Sequence, residues 1–534
     1  MTQPGEVASH DGVLKLDLRI RSYRSPDGTV RYCYLSTGVQ SPTLRLHPGD
    51  LLELRLKNEI TDLLPMPAGM PGMTMTPAGP GADPCHSATM TGMSTNLHFH
   101  GLTVPARCHE DEVLKTAIQP GDPPFEYRFR IPAHEPPGLY WYHPHVHGFS
   151  SQQVMAGASG VLIIDGIERA VPQVAGLPER LLVIRDQDLL NPNAPPSKSE
   201  PVVPHTLIDR DGDSANNGTG FGRPAKDLSI NFVPVPWPDY PPARIRLQPG
   251  ARELWRVLNA SAITYLNLAL LYGRTPQQLG LVAIDGVPMT NSGRTAPVTW
   301  VDHIGVPPGA RVEFIVNGPG EHVPAIFVTR TVDTGQGGEN DPNRALASVI
   351  AAPDATEPPA LPTDHRPLPT PTLPWLGDVQ PARVRRLYFS EKLDNPSDPN
   401  TATTFYITVD GQTPKAFDPA DGPNIVAQQG EVEDWIIENR STELHAFHIH
   451  QLHFMLMAWN GVPVNEPFLR DTVNVPYFDG RMLQYPSVRV RMDFRDPDTV
   501  GTFVYHCHLL EHEDGGMMGT IRVDPPPAMA TASP

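Results

Sequence analysis

Cysteine is scarce in this chain. Only Cys33, Cys85, Cys108 and Cys507 occur in 534 residues, too few for a disulfide framework to carry the fold. Long apolar runs are missing as well. No stretch of 18 apolar residues occurs, so no helix is available to span a membrane. Positive charge is in short supply: 41 Lys and Arg stand against 59 Asp and Glu, a net charge of −18. That balance argues against nucleic acid or an anionic membrane as partner, and it fits solubility or an attraction for cations. Residues Met1 to Asp11 have neither a basic start nor an apolar stretch. The expectation is a cytoplasmic chain or one whose export signal has been removed.

Proline and glycine are plentiful, at 63 and 44 residues. They favour many short strands and turns over long helices. The length suits roughly three or four domains. Internal repetition gives the architecture. A turn glycine, an alternating apolar run and an Asn nine positions after the glycine occur three times: Gly49 to Asn58, Gly250 to Asn259, Gly430 to Asn439. Leu52, Leu54 and Leu56 share one face of a strand, with charged neighbours opposite. A second pattern occurs twice, Gly138 to His145 and Gly501 to His508, each with Gly five before its first His. Apolar segments at Val13–Ile20, Leu181–Ile184 and Val384–Phe389 open three units. The reading is three consecutive Greek-key β-sandwich domains at 1–168, 169–352 and 385–534, with a Pro-rich linker at 353–384.

Ten of the 21 histidines fall in four short clusters. They are His98-Phe99-His100, His143-Pro144-His145, His445-Ala446-Phe447-His448-Ile449-His450, and His506-Cys507-His508 followed by His512 and Met517. On a strand, residues i and i+2 face one way, roughly 6.6 Å apart at about 3.3 Å rise. Each His-x-His therefore presents two imidazoles to one side. Four such pairs suit more than one metal, though imidazole alone does not name it. Cys507 alternates with His506 and His508, so its sulfur points to the opposite face. With His445, His512 and Met517 it makes the donor set of a blue-copper electron-transfer site. Met518 is adjacent and competes with Met517 for that place. Structural zinc would more often use CxxC spacing, and none occurs. In the middle unit the offsets that give His445, His448 and His450 after Asn439 give Tyr265, Leu268 and Leu270 after Asn259. That unit has no histidine set of its own.

These motifs resemble the multicopper oxidases, and within them the three-domain bacterial laccases and cuprous oxidases. The resemblance covers nearly the whole chain. It implies three cupredoxin domains and four copper ions: one type 1, one type 2 and two type 3. Carried over by motif, type 1 copper falls to His445, Cys507, His512 and Met517. Type 2 copper falls to His98 and His448, and the type 3 pair to His100, His143, His145, His450, His506 and His508. The same resemblance implies dioxygen as acceptor and a periplasmic or secreted location. Asp111 and Glu513 match family positions for proton supply, which dioxygen reduction needs. A solvated acidic turn at Glu110, Asp111 and Glu112 is the competing reading for Asp111. The reductant is expected to dock at an exposed imidazole edge, that of His512. His147 and His453 are expected to hydrogen-bond around the ligands, and His109 to be a loop residue.

Phenols and aromatic amines are the expected reductants, with Cu(I) as the alternative. Met66, Met70, Met73, Met75, Met90 and Met93 form a Met-rich stretch in the first unit, and thioethers suit Cu(I). The linker 353–384 has no Met, unlike the third-domain insert of cuprous oxidases. A copper-free scaffold of the same fold is a third reading, set against a fully filled ligand set. The chain is expected to be a monomer. Cys85 and Cys108 flank the first histidine motif and could pair, but sequence does not fix connectivity.

Overall fold

The computed structural model describes all residues except 26–27, 65–82, 87–89, 196–222, 292–293, 296, 364–372, 396–401, 467 and 527–534. Met66, Met70, Met73 and Met75 of the Met-rich stretch lie outside the described residues. Among the described residues the only α-helices are Ser150–Met155, Ile167–Ala170 and Leu510–Asp514. None of these described helices is long and apolar enough to cross a membrane.

The strands form three successive pairs of sheets, and the sequence repeat explains why. Each repeat run is a strand: Leu51–Glu59, Arg252–Asn259 and Val432–Asn439. Each turn glycine takes a positive φ, +91°, +68° and +95° for Gly49, Gly250 and Gly430, a conformation that costs glycine little. The strands that open the units, Val13–Arg24, Glu179–Gln187 and Arg383–Leu393, pair in parallel with the repeat strands. A parallel pair needs a crossover. Here the chain passes through the opposite sheet, as Thr43–Leu46, Ala243–Leu247 and Ile425–Gln428. Those three strands pair in parallel with the strand that ends each unit's core, Gly160–Ile164, Arg344–Ala351 and Met518–Asp524. The result is three β-sandwiches, as the resemblance implies.

Each repeat Asn closes its sandwich the same way. Asn58 Nδ2 donates to the carbonyls of Met93 and Ile118. Asn259 donates to those of Thr264 and Val306, and Asn439 to those of Glu443 and Val475. Each Oδ1 accepts the backbone N–H two residues on, from Ile60, Ser261 and Ser441. The side chain thus satisfies buried backbone groups where the strand leaves its sheet.

Each sandwich has its own core, and smaller apolar clusters join them. Leu139 and Trp141 pack with Leu181, Val183 and Leu258 between the first and middle sandwiches. Val113 packs with Val504 and Met518 between the first and the last. Val154, Ala262, Ile263 and Leu510 meet where all three converge. Within 353–384, Ala360 bridges Pro178, a 3₁₀ turn spans Leu376–Asp378, and Leu361 is buried.

Candidate metal centre and active site

The two histidine-bearing sheets bring their motifs face to face. In the first sandwich the strand His98–His100 pairs antiparallel with Gly138–His143, placing His98 opposite His143. In the last, His445–Ile449 pairs with Gly501–Cys507, placing His448 opposite His506. The duplicated motif therefore gives a duplicated ladder. Across the junction His98 stacks on His450, ring centroids 3.6 Å apart, and His100 on His448 at 4.0 Å. His145 and His450 each bring Nε2 to His506 Nε2, at 3.4 and 3.3 Å. His508 completes the group, 5.0 Å from His100 and 5.4 Å from His448 by ring centroid. All eight rings are buried.

These imidazoles lack the partners that buried nitrogens normally have. His98 Nε2, His100 Nδ1, His143 Nε2, His448 Nε2, His450 Nδ1 and both nitrogens of His508 have none. In His98, His100 and His448 the other nitrogen is held from outside, as is Nδ1 of His506. His98 Nδ1 lies 3.0 Å from Asp111, and His100 Nε2 3.2 Å from Asp471. His448 Nδ1 lies 2.8 Å from the Asp471 carbonyl, and His506 Nδ1 2.9 Å from that of Cys507. Burial pushes His143 down to about 3 and His506 to about 4, so both are neutral with a lone pair to give. Neutral rings fixed from behind and unpartnered in front fit bound metal.

Cys507 opens on the other face. Its Sγ lies 3.5 Å from His445 Nδ1 and 3.9 Å from His512 Nδ1, and the two Nδ1 atoms are 3.2 Å apart. Desolvation pushes the Cys507 thiol up and His512 down to about 3. A neutral thiol beside the neutral His512 ring and the His445 Nδ1 is what a thiolate-binding cation would convert. Met517 is tied in by its backbone: its carbonyl accepts from Cys507 N–H at 3.1 Å, and its N–H donates to the His512 carbonyl at 2.8 Å. It shares a core cluster with Cys507. Met518 packs elsewhere, with Val113 and Val504.

Two family models described as multicopper oxidase match residues 88–169 and 391–527. Those two stretches, which hold every histidine motif, are multicopper oxidase domains. It is 22% identical over 489 residues to a multicopper oxidase of Staphylococcus aureus, covering 90% of this chain and 81% of that one. It is 23% identical over 456 residues to the multicopper oxidase MmcO of Mycobacterium tuberculosis, covering 80% and 76%. In fold it is similar to a variant of McoA multicopper oxidase from Aquifex aeolicus, with TM-score 0.67, 19% identity and coverage of 98% and 99%. A multicopper oxidase from Campylobacter jejuni, described as a metallo-oxidase, gives 0.65 at 22% identity, covering 98% and 95%. Members of the family are oxidoreductases that use oxygen.

The acidic residues around these two centres fall into three groups. Asp111 is 1% exposed, which removes the solvated-turn reading. It accepts from Phe99 N–H at 2.9 Å and from Gln451 Nε2 at 2.6 Å, besides facing His98. Glu513 is buried against the opposite side, Oε1 3.7 Å from His145 Nε2 and Oε2 3.8 Å from His506 Nδ1. Desolvation and the neighbouring Asp514 push the Glu513 carboxyl well up. Burial likewise raises Asp514 to about 7. The third group, Glu391 and Glu443, flanks the cysteine site, 3.2 Å from His445 Nε2 and 3.3 Å from His512 Nε2.

The expected open edge at His512 needs correction. The residue is only 8% exposed, its Nε2 faces Glu443, and its ring stacks on Phe405 at 4.2 Å. His453 Nε2 lies 2.9 Å from the Asp285 carbonyl. His147 has its backbone N–H 3.1 Å from Met90 Sδ. His109 sits in a loop at φ +68° with Nδ1 2.6 Å from the Glu126 carbonyl. Cys85 and Cys108 form a disulfide.

Sequence reasoning missed what the middle sandwich supplies. Arg311 donates to both carboxylate oxygens of Asp471, at 2.9 and 2.7 Å. Both side chains are fully buried. Asp471 in turn holds His100 and His448. Asp285 accepts from the N–H groups of Arg311, Asp471 and Thr472. Gly309, at φ +83°, leaves no room for a side chain: a Cβ there would meet the His508 ring at 2.5 Å. No local period points to these residues, because their partners lie in other sandwiches.

Proposed function

We propose that this oxidase takes single electrons from phenols or aromatic amines near His512 and reduces dioxygen to water within the eight-histidine cluster. The observation that carries the reading is the alternation at Cys507. Its sulfur meets His445 and His512 on one face, while His506 and His508, one residue either way, belong to the cluster on the other. Adjacent residues of one strand thus make a short covalent path between the two centres.

The residues fit four copper ions. Type 1 copper would be held by His445, Cys507, His512 and Met517, and type 2 copper by His98 and His448. The type 3 pair would be held by His100, His143, His145, His450, His506 and His508. Bound copper would supply one-electron transfer at the cysteine side and dioxygen reduction at the histidine side. The chain's part is to position and to move protons. Asp111 and Asp471 fix ring orientation and tautomer from behind. Glu513, kept protonated by burial, can donate toward His145, with Ser150 Oγ 3.3 Å away to reorient it. At the other end, burial and the neighbouring Glu391 push the Glu443 carboxyl up. It is therefore the carboxylate left on the hydrogen-bonded Glu391–Glu443 pair that can accept the hydrogen of a phenol or the charge of an amine.

A second reading, Cu(I) as reductant, is favoured by the same two carboxylates, which attract cations, and by Met90 Sδ near His147. The Cys85–Cys108 disulfide supports a periplasmic or secreted location. The deciding variant is Cys507→Ser, which should lose both the intense blue absorption and oxygen consumption. Retention of both would end the proposal. Parallel kinetics on a phenol, an aromatic amine and Cu(I) would separate the two reductant classes.

A further inference from the structure

Away from the histidines, one buried cation has no anion among the described residues. Arg185, in the middle sandwich, is 5% exposed. Its Nε donates to Ser159 Oγ at 2.8 Å and one Nη to the Ser159 carbonyl at 3.1 Å, both neutral acceptors. The Phe232 ring covers one face of the guanidinium, 4.2 Å from its carbon. A buried guanidinium without a carboxylate is costly, and burial accordingly lowers this one to about 10.

The residue lines a cavity of about 190 Å³ between the first sandwich, the middle sandwich and the N-terminal segment. Arg185 is the only charged residue among the described lining residues. Two others on the same walls, Gln3 and Ser41, carry buried polar atoms with no partner, Nε2 and Oγ. Three non-glycine lining residues hold positive φ: Ser41 at +44°, Asn231 at +47° and Phe232 at +64°. Bulky residues adopt that conformation only when the surroundings demand it.

We propose that this cavity is a binding site for a small oxyanion, gripped by the Arg185 fork with Gln3 and Ser41 as further donors. Arginine's planar donors match carboxylate, sulfate or phosphate oxygens. The cavity's size limits the ligand to an inorganic oxyanion or a compact carboxylate. Phe232 orients the fork by stacking and leaves its edge available. Because the walls come from two sandwiches, an occupant would clamp them together.

The test is thermal unfolding of the copper-loaded protein with millimolar sodium sulfate or sodium acetate, at constant ionic strength. The wild-type midpoint should rise and saturate with at least one of them, as binding to the native state requires. Whichever is tighter identifies an inorganic oxyanion or a carboxylate as the preferred class. Arg185→Met should lose the saturable shift and, without anion, melt at or above the wild-type midpoint. Should that variant not fold, Arg185→Lys keeps the charge without the fork and should bind at least about tenfold more weakly. Calorimetric titration of the wild type with sulfate and with acetate should give one site per chain for the tighter anion. No saturable response to either anion, or an equal shift in wild type and Arg185→Met, would overturn the proposal.

Discussion

At the level of single residues, the proposed function would have Asp111 and Glu513 divide the tasks a buried oxygen-reducing site demands. Asp111 receives N–H groups from Phe99 and Gln451 and faces His98 Nδ1. Three donors hold it as an acceptor that orients a ring. Asp111→Asn should keep the blue absorption, since the cysteine site is untouched, and slow oxygen consumption by about 10²-fold or more. Equal turnover would show that ring orientation does not depend on it. Burial raises both carboxyls, but the Phe99 and Gln451 donors oppose it at Asp111. At Glu513 the neighbouring Asp514 adds to it and only Ser150 opposes, which favours the proton on Glu513. Its proton supply is intact below that raised pKa and fades as pH rises through it. Glu513→Gln should therefore lower oxygen turnover most on the acid side and flatten the pH profile, measured with a reductant that does not itself titrate. The His-x-His pairs were legible because strand alternation is a local rule. Asp471 and Arg311 were not: Asp471 lies 371 residues from the His100 ring it holds. A single Asp before Thr carries no pattern.

At the level of the strand and turn, the triplicated Gly-to-Asn run was the most legible part of the fold. Its meaning is now visible in the hydrogen bonds. Asn439→Ala would take the Nδ2 donor from the carbonyls of Glu443 and Val475, the first of which keeps Ser441 Oγ at 3.2 Å, and should cost on the order of 1–3 kcal/mol. Asn58→Ala and Asn259→Ala should cost similar amounts in chemical denaturation, since all three make the same bonds. A marked inequality would show that the three sandwiches do not share one stability device. The two copies of the Gly-to-His motif were also readable, and they pair in matching register. The closure of the His512 edge was not readable, because Phe405 and Glu443, which close it, come from a different strand and a different turn.

For the whole molecule, the sandwiches depend on buried charge at their seams. Arg311 belongs to the middle unit, Asp471 to the last, and Gly101 of the first packs against both. Arg311→Met would leave Asp471 buried without its partner, a loss of about 3–5 kcal/mol. It should also disturb the spectroscopic signal of the histidine cluster before that of the cysteine site. A second seam gives a pH effect. Burial raises Glu135, 2% exposed, from 4.5 to about 7. A carboxyl raised in the fold contributes full stability below its unfolded pKa and loses it as pH rises through the folded one. The loss, about 3 kcal/mol between pH 4.5 and 8, should vanish in Glu135→Gln when unfolding is followed across that range. The sequence showed the middle unit without a histidine set of its own, but not that it walls the cluster.

That wall sets an order of events. Gly309 presses its bare backbone against the ring of His508, while His98 and His100 wait on the first unit. Nothing short of the chain through residue 508, docked on its two predecessors, encloses the pocket. Loading with copper must therefore come after synthesis has passed the last histidines, and a truncated product released before then would have no finished chamber to fill.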